Sequence, residues 1–141
     1  MIVNKIVRQA MLEDSLWDNI VLGFDAITSI GKVEFFDNGG IPLCDLEFDN
    51  MQIVSTGSDN AIMRLMSIDG SFVLKSSAYA AGTVSTFKIF GKIPTLALDY
   101  ILVGTVGTLT SSAELRFNIV NWVIGTFISI ENFDIIIPNG V

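Results

Sequence analysis

A chain of 141 residues suits one domain with room for a hydrophobic core, and a composition that is half apolar and only 16% charged excludes a disordered polymer. The formal net charge of −7 argues against a nucleic-acid partner. The absence of histidine removes the commonest general base and metal ligand, and the single cysteine, Cys44, excludes an intrachain disulfide. No apolar run approaches the ~18 residues of a membrane helix, and no continuous apolar segment follows the first few residues as in a signal peptide. Synthesis in a cytoplasm, without export and without a membrane, is therefore expected.

In chain order, residues 3–17 (VNKIVRQAMLEDSLW) carry apolar side chains at spacings of three and four: Val3, Ile6, Val7, Ala10 and Met11, extended by Leu16 and Trp17. The pattern predicts an N-terminal amphipathic helix with Asn4 as N-cap, serving as a lid on the core or as a docking arm. Residues 18–30 are ambiguous, extending the helix to Leu22 or forming a short strand, and 23–30 reads as a connection with some apolar anchoring, so that 1–30 is set apart from a β domain over 31–141.

From Gly31 the period becomes two. Residues 32–36 (KVEFF) put Val33 and Phe35 on one face and Lys32 and Glu34 on the other. Asp37-Asn38-Gly39-Gly40 is a turn sequence. Residues 43–48 (LCDLEF) follow, with Leu46 and Phe48 opposite Asp45 and Glu47. A weak strand is expected at 51–54, another at 61–67, then an Asp69-Gly70 turn and a strand at 71–75. Residues 76–82 read as a loop.

The stretch 81–107 reads as the central hairpin, its arms 83–90 and 95–103 joined by Gly91-Lys92-Ile93-Pro94. Leu96, Leu98, Tyr100 and Leu102 share one face, and Ala97, Ile101 and Val103 lie with Asp99 on the other. Both sides are partly apolar, one for the core and one for a neighbouring subunit. A polar loop at 108–113 precedes 114–118 (ELRFN), where Leu115 and Phe117 alternate with Glu114, Arg116 and Asn118. Strands are expected at 120–124, 126–131 and 132–138. About eight short strands with regularly spaced turns, preceded by one α-helix, predict an all-β fold, a β-sandwich of jelly-roll or immunoglobulin-like type.

No residue set declares a catalytic chemistry. Asp45, Glu47 and Asp49 occupy alternate positions and share a strand face, a pattern that would suit a hard cation. They lack the glycine of a calcium loop, and a solvated face is the expectation. Lys75-Ser76-Ser77 offers a hydroxyl and an amine adjacent in sequence only. Residues 104–108 (GTVGT) hold glycines without the lysine or helix of a phosphate loop. Trp17, Trp122, Phe35, Phe36 and Phe90 could stack on sugars, but packing is their expected use. Asp18, Asp25, Asp37, Asp59, Asp69, Asp99 and Asp134 are dispersed and read as turn formers. No catalytic residue, metal ligand or cofactor is assigned.

Seven segments carry a resemblance in conserved order: 7–16 (VRQAMLEDSL), 31–37 (GKVEFFD), 43–48 (LCDLEF), 82–91 (GTVSTFKIFG), 101–108 (ILVGTVGT), 114–118 (ELRFN) and 126–138 (TFISIENFDIIIP). Their sequence resembles that of small virion structural proteins of tailed bacteriophages, in which a helix is followed by strands of the type GTLRIYxG, LLAxLxF, a VLxGTVGT segment, DLxLN and VSISSFTITxP. The resemblance implies a β-sandwich component of a phage particle with no enzymatic activity. The expected station is a capsid decoration or cement protein, homo-oligomeric and bound to the major capsid protein or other virion proteins. The alternatives are a tail or neck adaptor and, from another class, a carbohydrate- or receptor-binding module. A hydrolase is the weakest, lacking histidine.

Overall fold

The computed structural model describes residues 2–3, 31–56, 60–90 and 102–138. All regular structure there is β, and no helix occurs among the described residues. The expected helix over 3–17 lies outside them but for Val3, which is the second residue of a short strand β1 (Ile2–Val3) rather than the first of a helix. The eleven further strands are β2 (Gly31–Asp37), β3 (Pro42–Phe48), β4 (Asn50–Thr56), β5 (Asn60–Met66), β6 (Val73–Ser77), β7 (Gly82–Phe90), β8 (Leu102–Thr108), β9 (Leu115–Phe117), β10 (Asn121–Trp122), β11 (Phe127–Glu131) and β12 (Asp134–Pro138). The count exceeds the eight or so expected, although each of β2 to β12 overlaps one of the strand segments read from the sequence.

The largest sheet has the order β1-β8-β7-β2-β3, with β9 beside β8 and β10 beside β7. Its spine is antiparallel: Phe35 faces Cys44 on one side and Phe87 on the other, and Phe87 faces Gly104. The two arms of the central hairpin therefore do pair. The second arm is longer than expected, however: β8 runs from Leu102 through Thr108, five residues past the expected end at Val103. The rest of the expected arm and its turn lie outside the described residues. The 37–40 turn forms as expected, with the Asp37 carboxylate accepting the N–H groups of Gly39 and Ile41, each at 2.9 Å.

The remaining strands form a long irregular ribbon. β5 and β6 are separate strands, as expected, divided by an extruded turn at 67–72. β12 pairs β5 and β11 pairs β6, both antiparallel. Between them Asn132 N–H donates to Phe72 and Leu65 N–H to Phe133, each at 3.0 Å, which carries the ladder past the extrusion. β4 extends the β5 side.

Sheet and ribbon share one core. Val33, Phe35, Leu43, Leu46, Phe48, Leu65, Leu74, Phe87 and Ile89 are fully or almost fully buried, and Trp122, Ile128, Phe133 and Ile135 join them. The alternation that predicted the inward faces of β2 and β3 is the burial observed. The aromatic centre is edge-on: Phe35 meets Trp122 at 5.5 Å and Phe117 at 5.9 Å, and Phe87 meets Phe133 at 5.8 Å, joining sheet to ribbon. Leu115 and Phe117 pack on this core but are only partly buried.

Candidate functional site

An open groove of about 590 Å³ lies between β3, β6 and the extruded turn. Its existence follows from local sequence. The turn projects because Gly70 sits at φ 82°, a left-handed conformation that glycine adopts without strain. It is tied by Ser67 N–H to the Ser71 carbonyl at 2.9 Å. The Asp69 carboxylate accepts the Ser71 N–H at 2.9 Å and also the Ser67 hydroxyl. These bonds, the Ser67 hydroxyl first, hold the Asp69 carboxyl down at about 2.

Across the groove, Tyr79 donates its hydroxyl to Asp45 at 3.2 Å. Burial, and then the charges of Asp45 and Glu34, push its phenol well above the ordinary range, so it stays a donor at any physiological pH. Lys32 bridges the outer face of the sheet, 3.2 Å from Glu34 and 3.9 Å from Asp45. Glu47 and Lys75 line the same groove. Such a surface can hydrogen-bond and attract charge.

The acidic triplet is placed on the outward side of β3 and its end, as its alternation predicts. Asp45 is half-buried and engaged by Tyr79, whereas Glu47 and Asp49 are exposed. Among the described residues, no group of three or more potential ligands could hold a metal ion. Asp37 and Asp69 are turn formers as expected. Asp134 is instead the partner of Arg64, whose guanidinium it meets at 2.7 and 3.0 Å, tying β12 to β5. Asp18, Asp25, Asp59, Asp99 and Trp17 lie outside the described residues.

Lys75, Ser76 and Ser77 are on β6, where Lys75 and Ser77 face solvent while Ser76 faces the other side of the strand with partial burial. Cys44 is fully buried, and desolvation first, offset in part by Ser76, raises its thiol to about 11. It is a core residue. Gly104 has a packing reason: a Cβ there would overlap the Phe87 ring. Gly104 thus admits an aromatic neighbour, and Gly107 lies against Ser111 and Ala113.

Of the aromatics considered for stacking, Trp122 and Phe35 are buried. Phe36 and Phe90 lie on the outer sheet face beneath Lys88 and Lys32, at 5.1 and 5.5 Å. Among the described residues, the aromatics most open to solvent are Tyr79 and Phe127, which sequence reasoning missed because their neighbours are distant in sequence.

Those two belong to a second feature. Residues 76–87 and 117–130 contain no Asp, Glu, Lys or Arg, and the fold hydrogen-bonds them side by side. Asn121 and Trp122 pair with Thr83 and Gly82, and Phe127 and Ile128 with Ser77 and Ser76. Ile119, Val123, Ile124 and Phe127 are all more than 60% exposed on this surface, with Tyr79 half exposed. The loop that bears them is fixed: Gly125, at φ 91°, donates to Ala78 at 2.8 Å, and Ala78 donates back to Thr126 at 2.8 Å. Val123 N–H is capped by the Thr126 hydroxyl at 2.9 Å. Comparison with protein families, with curated proteins and with solved structures finds no match to this chain.

Proposed function

We propose that the chain is a non-enzymatic structural protein of a bacteriophage virion, most simply a capsid decoration or cement protein. In this reading it is assembled in the host cytoplasm as a homo-oligomer that binds the major capsid protein. The observation that carries this reading is the ordered, solvent-facing apolar surface around Ile124 and Phe127, in a chain with few charges to keep it apart from partners. A protein that cements neighbouring subunits needs such a surface, since a stable contact buries on the order of 1,600 Å². The family resemblance points the same way. The segments that carry it in the middle of the chain are neighbours in one sheet, in the order β9-β8-β7-β2-β3. We take the architecture to be a two-layer β-sandwich, with the β5-β6 ribbon as the second layer, of the jelly-roll or immunoglobulin-like type.

The test is mass spectrometry of purified particles. A copy number matching the capsomers is expected. A small ring multiple would move the protein to the tail or neck, and absence from the particle would end the virion reading. The groove favours one alternative of another class. Half-exposed Tyr79 beside Asp45, Glu47 and Lys75 gives a ring face with donors and acceptors, the elements of a carbohydrate- or receptor-binding module. Glycan-array binding that is lost in Tyr79→Ala would favour it.

A further inference from the structure

We infer that the uncharged surface built from residues 76–87 and 117–130 is where one copy of this chain meets another. The inference deepens the assembly reading and rests on it for its setting, but the contact itself belongs to the isolated protein. The case begins with charge. The chain carries fifteen acidic and eight basic residues, and none of them falls in these two stretches. Two copies at −7 each repel wherever their ordinary surfaces face. They approach with least Coulomb penalty through the middle of this surface, residues 119–127, which has no ionised side chain of its own, with Asp45, Glu131, Asp37 opposite Val84 and exposed Lys75 opposite Ser129 at its margin.

That same end carries the driving force. Ile124 is 72% exposed and Val123 and Phe127 64% each, so covering them removes apolar surface from water. The loop is already held by its bonds to Ala78 and by the Thr126 cap, which lowers the ordering cost of docking. A symmetric contact needs a patch that is complementary to itself. A neutral apolar patch meets that condition, whereas an acidic one does not. The carboxylates that could engage a basic partner, and the Lys75 that could engage an anionic membrane, lie at its margin and not among the apolar residues of the loop.

Sedimentation velocity of the full chain at increasing concentration and salt tests the inference. The wild type is expected to self-associate, and added NaCl to strengthen association, because salt screens the repulsion between two acidic copies while leaving the neutral contact intact. Ile124→Lys is expected to weaken association at least about tenfold. Its circular dichroism should be unchanged, since the side chain is mostly in solvent. Ile136→Lys, at another exposed isoleucine, on β12, should leave association as in the wild type. A wild type that stays monomeric at every salt concentration overturns the inference, whatever else that face then binds. So does association that weakens with salt, or that survives Ile124→Lys. Presence or absence of the protein in particles is a separate measurement, so the virion reading and this contact can fail independently.

Discussion

Asp69 does structural work from an exposed position. Its carboxylate collects the Ser71 N–H and the Ser67 hydroxyl, and its carboxyl group is held at about 2 against an ordinary 3.8. A carboxyl depressed on folding contributes stability that is fully present above its unfolded value and is lost as pH falls through its folded one. Asp69→Asn keeps an acceptor but removes the charge. The wild type should therefore melt above this variant at neutral pH, and the gap should close between about pH 4 and pH 2. A gap that stays constant across that range in thermal melts would show that the turn does not depend on ionised Asp69. Residue roles of this local kind were legible in the sequence, since Asp69-Gly70 and Asp37 through Gly40 act within a few positions. The role of Gly104 was not. The Phe87 ring that excludes a side chain there stands across the sheet from it, and sequence order gives no register between the two strands.

At the scale of elements, period-two alternation located β2 and β3 and their buried faces because both strands are covered on one side only. It also placed β5 and β6 as the separate strands observed, on either side of the 67–72 turn. It ended the second arm of the hairpin at Val103, whereas β8 continues to Thr108. β9 is intermediate: its alternation was the cleanest in the chain, yet Leu115 and Phe117 are only partly buried because the strand lies at the margin of the sheet. The energetic order follows from those environments. Phe35→Ala, which empties the centre of the aromatic cluster, should cost about 3–5 kcal/mol. Phe117→Ala, which removes the edge contacts to Phe35 and Trp122, should cost about 2–3 kcal/mol. Leu115→Ala should cost about 1–2 kcal/mol. Urea unfolding of the three variants checks the ranking, and equal losses at Leu115 and Phe35 would contradict the burial assignments.

For the whole molecule, the candidate interface was only half legible. Low charge and high apolar content announced that some surface would be covered by partners. Which surface could not be read, because 76–87 and 117–130 come together only through the β6–β11 and β7–β10 pairings. The division between an N-terminal part and a domain from residue 31 has a direct consequence that can be measured. Every buried core residue described here falls between Val33 and Ile135. The strand ahead of them, β1, adds only the pairs Ile2 with Val103 and Val3 with Leu102 at the edge of β8. A chain beginning at Gly31 is therefore expected to fold with a cooperative melt and native near-ultraviolet circular dichroism, less stable by about 1–3 kcal/mol for the lost edge bonds. It also leaves the Leu102–Val103 end of β8 without β1, which invites strand-to-strand aggregation distinct from the neutral face. Adding Ile124→Lys to the shortened chain separates the two routes. Aggregation through the bared edge persists in that variant, whereas association through the neutral face is lost. A shortened chain that melts without cooperativity would place part of the core before residue 31 and remove the basis for treating the β domain as self-sufficient.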